Sequence, residues 1–273
     1  TDRKQYEEQL ERQSTHDELT GLANRHRLKE RTELAIAFAQ RGIVVDLVDI
    51  DPHWKVLGAG ITITGPTLRA FKALKAPAVF LLDAGLNLNG KAFRNLNEAQ
   101  SRTGILSEAL FWAEIYPTMA KPEHLEFLSS VGTAYLGVGL QSMDERVLKA
   151  HSRPFDMRRF APAVEALSKV AGLEIQIIMG LPEDTPDGFR KTLDFALSLP
   201  VTSVRVYHCL VLPDALLSRA DPTWDLNFDP VNMAMISNRT WSEHDLTAMR
   251  TELNERVAKR GGEGGEYWWS FWK

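Results

Sequence analysis

The chain has 273 residues, 44% of them hydrophobic and 25% charged, and carries a formal net charge of −4. That length and composition suit one large or two small globular domains with a sizeable core, and the mildly acidic balance gives no electrostatic reason to expect nucleic acid or an anionic membrane as partner. With no apolar run long enough to span a bilayer, and a charged N-terminus without an apolar signal region, a cytoplasmic protein is expected.

Residues 1–14 are polar and helical in character, with Tyr6 and Leu10 on one face, a segment suited to self-association. Thr15-His-Asp-Glu18 fits a capping box, after which a second helix is predicted through Leu19, Leu22, Leu28, Leu34, Ile36 and Phe38. A basic last turn and a glycine, Arg41-Gly42, stop it. Ile43–Ile50 is an apolar, β-branched run that reads as a buried strand. A loop with Gly58 and Gly60 follows, and Gly65-Pro66-Thr67 opens a short helix to Lys75.

Strands are then predicted at Ala78–Leu82, Leu110–Ile115, Ala134–Val138, Glu174–Met179 and Ser203–His208. Helices are predicted between them at Lys91–Gln100, Lys121–Val131, Asp144–Lys149, Met157–Val170 and Pro186–Leu199. Strands alternating with helices run parallel, because parallel neighbours need crossover connections. With Ile43–Ile50 included, the pattern predicts an α/β fold: a partial (β/α)6 TIM-like barrel with an N-terminal helical extension, divided as 1–41 and 42–273.

Three stretches resemble known families. His16-Asp-Glu-Leu-Thr-Gly-Leu-Ala-Asn-Arg25 is similar to the opening of GGDEF (diguanylate cyclase) domains, a likeness confined to residues 1–41. The loop that names that family never appears; Gly261-Gly262-Glu263-Gly264-Gly265 lacks its second acid and its phenylalanine. A degenerate cyclase-like protein is therefore the weakest alternative. Gly42–Ile50 together with Gly58–Arg69 resembles a piece of a flavin-dependent monooxygenase, with Asp49 in place of the ribose-holding acid. No G-x-G-x-x-G precedes that strand, and Ile63 stands where Gly58-Ala-Gly60 would need its third glycine, so FAD is expected to be absent.

The longest resemblance, from Pro77 to the end, is to the part of radical SAM enzymes that follows their cluster, of the cobalamin-associated kind. Phe80-Leu-Leu-Asp83 with Leu86-Asn87-Leu88-Asn89 looks like the second strand and its loop, Ala113–Pro117 the third strand end and Gly137–Ser142 the fourth. Ile178-Met-Gly180-Leu-Pro-Glu183 matches the fifth-strand adenine motif except at its leading glycine, where Gln176 stands, and Val206–Pro213 looks like the sixth strand. The resemblance implies S-adenosylmethionine as a small-molecule ligand, held by Asp83, Glu114, Gln141, Ser142, Ile178, Gly180 and Glu183. Their acids and amides would take the ammonium and ribose hydroxyls, and Gly180 would let adenine approach the backbone. These positions fall at C-terminal strand ends, where parallel α/β barrels bind ligands. Singly, each also reads as an ordinary strand-end cap or turn residue.

Radical SAM chemistry needs closely spaced cysteines to ligate a [4Fe–4S] cluster. This chain has a single cysteine, Cys209, which reads as a small buried residue, so the iron–sulfur cluster is expected to be absent and no catalytic residue is assigned. That count also excludes an intrachain disulfide. The 7 histidines are scattered without ligand spacing, and Asp49-Ile-Asp51-Pro-His53 reads as a turn more readily than as a metal site. Tyr267-Trp-Trp-Ser-Phe-Trp272 reads as an aromatic tail packing on a barrel opening or a helix. The expectation is a mosaic, radical-SAM-related protein, S-adenosylmethionine-dependent by resemblance but inactive as such. The alternative is a non-catalytic α/β binding or signalling module with the N-terminal helix as connector.

Overall fold

The computed structural model describes residues 78–81, 85–104, 106–153, 156–213 and 215–273. The expectations for the helices of 1–41, the strand Ile43–Ile50 and its place beside Ala78–Leu82, the helix to Lys75 and Asp83 lie outside the described residues. What remains is an α/β fold of the partial TIM-like kind, built on a mostly parallel sheet.

Strands β1 (Ala78–Leu81), β2 (Leu110–Glu114), β3 (Thr133–Gln141), β4 (Gly172–Met179) and β5 (Ser203–His208) are neighbours in chain order and pair in parallel. Helices α1 (Gly90–Thr103), α2 (Pro122–Ser130), α3 (Glu145–Ala150), α4 (Met157–Ser168) and α5 (Pro186–Ser198) occupy the connections and the segment after β4. Local chemistry sets their ends. Asn89 caps α1 by accepting from the amides of Lys91 and Ala92, and Gly104 stops it at φ 58°. This makes α1 longer than the predicted Lys91–Gln100 at both ends. Thr185 caps α5, with Pro186 in its first turn, where a missing N–H costs nothing.

One face of the sheet makes the core. Leu136, Val138 and Leu140 of β3, Leu173, Ile175, Ile177 and Met179 of β4, and Val204 and Val206 of β5 are fully buried there. Phe127 of α2, Val164 of α4, and Phe189 and Leu193 of α5 belong to the same cluster. The alternate residues carry polar side chains on the other, inner face, because successive side chains of a strand point to opposite sides.

The C-terminal part holds elements the sequence expectations do not contain. A two-stranded ribbon, β6 (Asn227–Phe228) with β7 (Met235–Ser237), follows β5, and then comes the long helix α6 (Glu243–Arg260). Ser242 and Asp245 form a reciprocal capping box at its start, Lys259 and Arg260 lie in its last turn, and Gly261 ends it at φ 73°. Strands β8 (Glu263–Gly264) and β9 (Trp268–Trp272) complete the main sheet in the order β1-β2-β3-β4-β5-β9-β8. The aromatic C-terminus is a strand of the sheet and not a loose tail: β9 runs antiparallel along β5, with Val206 opposite Trp269 and Val204 opposite Phe271. Alternation decides this, since Trp269 and Phe271 are buried while Trp268 and Trp272 face the other way. Among the described residues, no helix is long and apolar enough to cross a membrane.

Candidate functional site

The inner face is organised by the glycines of β3. A Cβ on Gly137 would fall 2.3 Å from Oε1 of Glu114, so the carboxylate at the end of β2 lies over that glycine. There Gln176 of β4 reaches it, donating from Nε2 to Glu114 Oε1 at 3.1 Å. Two strands that do not pair with each other are thus joined across the bare backbone of the strand between them. The chain of contacts continues along the sheet. Gln176 Nε2 also lies 3.4 Å from Glu174 Oε1. Glu174 Oε2 accepts from Arg205 Nε at 3.0 Å and from Ser203 Oγ at 3.4 Å, and the Arg205 guanidinium stands 5.2 Å from the centre of the Trp268 ring. Burial pushes the Glu114 carboxyl above the usual carboxylate range, and the hydrogen bond from Gln176 works against that rise.

Above this ladder, at the C-terminal ends of β3, β4 and β5, lies a cleft of ≈ 470 Å³. Gln141, Gln176, Ile178 and Tyr207 form its sheet side; Leu148, His151 and Arg153 after β3, and Leu210, Leu212, Leu216 and Arg219 after β5, form its walls. Tyr267 and Trp268 close it on the β9 side. His208 contributes an unusual wall. Its Nε2 contacts the Met235 carbonyl of β7 at 2.7 Å, while its buried Nδ1 has no partner. Burial holds its pKa below the usual histidine value.

The sequence-expected site residues fall into distinct groups. Gln141 and Ile178 line the cleft, and Gln141 sits at φ 66° where the β3–β4 register shifts, with its buried Oε1 unpartnered. Glu114 lies beneath, held by Gln176. Ser142, Gly180 and Glu183 are not among the cleft-lining residues. Ser142 is fully buried and accepts from the Asp144 amide at 3.2 Å, at the start of α3. Glu183, at φ 71°, forms an ion pair with Arg239. Gly180 takes φ 89°, and a Cβ there would meet Leu246 of α6 at 2.9 Å and Cys209 at 3.6 Å. Its lack of a side chain serves packing against α6; its carbonyl accepts from Asn238 Nδ2 at 3.0 Å.

Residue-by-residue reading missed Glu174, Arg205, Trp268, His208, Arg153 and Arg219. A signal for the first two was present in the alternation of polar with apolar residues, Glu174-Ile-Gln-Ile-Ile and Ser203-Val-Arg-Val-Tyr, which marks one face as polar. Gln176, which departs from the adenine motif, is the residue that joins the ladder.

The residues present do not suit an iron–sulfur cluster. Cys209, just past β5, is 2% exposed, and burial pushes its thiol up to about 12, against the thiolate a cluster requires. Among the described residues no group of three or more His, Cys, Asp or Glu side chains is arranged to hold a metal ion.

Comparison with known proteins finds a family likeness over part of this architecture. Residues 68–196 match the family model described as the Radical SAM superfamily. Over that segment the chain is similar to radical SAM proteins. The match begins within residues 42–75, the segment read as flavin-monooxygenase-like, and the comparisons support neither that likeness nor the GGDEF-like one. Oxygen-independent coproporphyrinogen III oxidase from Helicobacter pylori is 31% identical over 102 residues, covering 37% of this chain and 22% of that protein. The enzyme of the same name from Pseudomonas aeruginosa is 29% identical over 107 residues, covering 38% of this chain and 23% of its own length. The chain therefore spans less than a quarter of the length of these relatives. Among solved structures, a radical S-adenosylmethionine methyltransferase from Kitasatospora setae, with tryptophan substrate and a SAM analogue bound, superposes with a TM-score of 0.53. At 13% identity, over 71% of this chain and 44% of that one, the likeness is one of fold.

Proposed function

We propose that this chain is a radical SAM-type domain that binds an adenosine-containing compound in the cleft at the ends of β3, β4 and β5, and that it assembles no [4Fe–4S] cluster of its own and is inactive in radical chemistry as it stands. The family uses S-adenosylmethionine together with such a cluster. The observation that carries the reading is the contrast between the two halves of that requirement. The cleft is open, largely apolar and lined by Gln141, Gln176 and Ile178 at strand ends, where this class of fold binds ligands. The single cysteine, by comparison, is buried and alone.

Two measurements on the full chain test this. Anaerobic reconstitution followed by iron and sulfide analysis is expected to give no stoichiometric, EPR-active [4Fe–4S] signal, and such a signal from the monomeric protein would overturn the inactive reading. Calorimetry is expected to show S-adenosylmethionine or S-adenosylhomocysteine binding without added iron. Absence of heat from either at millimolar concentration removes the adenosine site from the proposal.

A further inference from the structure

The cleft has a polarity of its own. Two buried acceptors that line it lack hydrogen-bond partners: Oε1 of Gln141 and Nδ1 of His208. The His208 ring is 3% exposed, and with Nε2 facing the Met235 carbonyl, that nitrogen carries the proton and Nδ1 is left as an acceptor. An acceptor buried without a partner costs free energy that a donor-bearing ligand recovers. Charge lies elsewhere on the same wall. Two arginines, Arg153 and Arg219, line the cleft, and no lining residue described is an Asp or Glu. Arg219 Nε donates to the Ala215 carbonyl at 2.9 Å, which orients its guanidinium. The nearby carboxylates have partners of their own: Glu114 is held by Gln176 and also faces Arg153, Glu174 pairs with Arg205, and Glu183, near His151, pairs with Arg239. Between acceptors and arginines the walls are apolar and aromatic, with Tyr207, Trp268 and Leu181 among them.

We infer that the cleft selects an aminopurine-type ligand of net negative charge, such as an adenosine phosphate, over the net cationic S-adenosylmethionine. Exocyclic amine hydrogens meet the acceptors of Gln141 and His208, the flat ring lies on the aromatic and leucine walls, and the negative group faces Arg153 and Arg219. This rests on the adenosine reading proposed above and deepens it by fixing the sign of charge the ligand carries.

The test is calorimetry of the full chain with adenosine, 5′-AMP, S-adenosylhomocysteine and S-adenosylmethionine, at low and high salt, repeated with the double variant Arg153→Gln/Arg219→Gln. The expected result is 5′-AMP binding about tenfold more tightly than adenosine, and S-adenosylmethionine more weakly than S-adenosylhomocysteine. Both differences should shrink at high salt and vanish in the double variant, while adenosine affinity is kept. Both arginines are exposed, so unchanged adenosine binding and circular dichroism report a folded variant. S-adenosylmethionine binding more tightly than the homocysteine compound, or a phosphate preference that survives the double variant, overturns the inference and leaves the adenosine reading standing. If none of the four compounds binds, both fall together. The salt comparison on the unaltered chain needs no substitution.

Discussion

Gly180 has a place in the packing that its motif does not announce. A glycine in an adenine-type motif suggests that the backbone must meet a ligand, and on that view Gly180→Val damages binding more than folding. The structure also sets its missing Cβ against Leu246 at a left-handed φ of 89°. Gly180→Val therefore combines backbone strain with overpacking, and a loss of about 2–4 kcal/mol in urea unfolding is expected, whatever its effect on ligands. Gln176→Gly tests the opposite kind of position. It restores the motif glycine but leaves Glu114 without its donor, so about 1–3 kcal/mol of stability should be lost, together with a further rise of the Glu114 pKa. Protonation gives a separate handle. Glu114 and Asp184 are both held above the usual carboxylate range, chiefly by burial, so the folded chain keeps protons the unfolded chain has released. Their contribution to stability is present at low pH and is lost as pH rises from the ordinary carboxylate range through the raised folded values. His151 and His208, depressed by burial, act in the other direction: their contribution is present above the ordinary histidine range and is lost as pH falls. Urea midpoints measured across pH should accordingly decline less steeply on the alkaline side of the carboxylate range in Glu114→Gln and in Asp184→Asn. Unaltered slopes in both variants would show that these carboxyls are ordinary.

At the scale of elements, local signals served well where periodicity and punctuation agree. Ser203–His208 is predicted and observed with the same bounds, and β1, β2 and β4 and the helices α2 to α5 are placed within a few residues. Each is a short apolar strand or an amphipathic helix bounded by proline, glycine or a polar cap. Helix α6 was as legible, with Ser242 and Asp245 spaced as a capping box, Leu246, Met249, Leu253 and Val257 buried along one side, and Arg260-Gly261 at its end. The expectations nevertheless hold no element there. Strand β9 is a different case. Five aromatic-rich residues beside a glycine run do not reveal their pairing partner, and only the structure shows them along β5. Trp269 is buried at 1% exposure and donates from Nε1 to Asn254 Oδ1 of α6 at 2.6 Å, which ties strand to helix. Trp269→Ala should cost about 3–5 kcal/mol and Asn254→Ala about 1–3 kcal/mol, as urea unfolding would measure. A loss under about 1 kcal/mol for Trp269→Ala would mean that β9 is dispensable to the core.

Across the whole molecule, the sheet was readable and the ladder on its inner face was not. The contact between Glu114 and Gln176 joins residues far apart in the chain, and it depends on Gly137 standing between them, a relation that neither periodicity nor spacing encodes. The same holds for Arg205 between Glu174 and Trp268. The cleft lies at the strand ends, with Gln141 and Ile178 among its lining residues. The antiparallel closure by β9 also has a consequence for the order in which the chain is made. On a ribosome β5 emerges roughly sixty residues before the strand that covers its edge, a gap of about 3–12 s at ordinary rates of synthesis. During that interval the edge of β5 offers a row of open amides and carbonyls beside exposed apolar side chains, a site for trigger-factor-like helpers or for pairing with a neighbouring nascent chain on the same message. Nascent chains stalled just before Trp268 has left the tunnel should be cut readily by protease within β5, and those released past Trp272 should resist. Equal resistance at both lengths would show that something other than β9 guards the edge during synthesis.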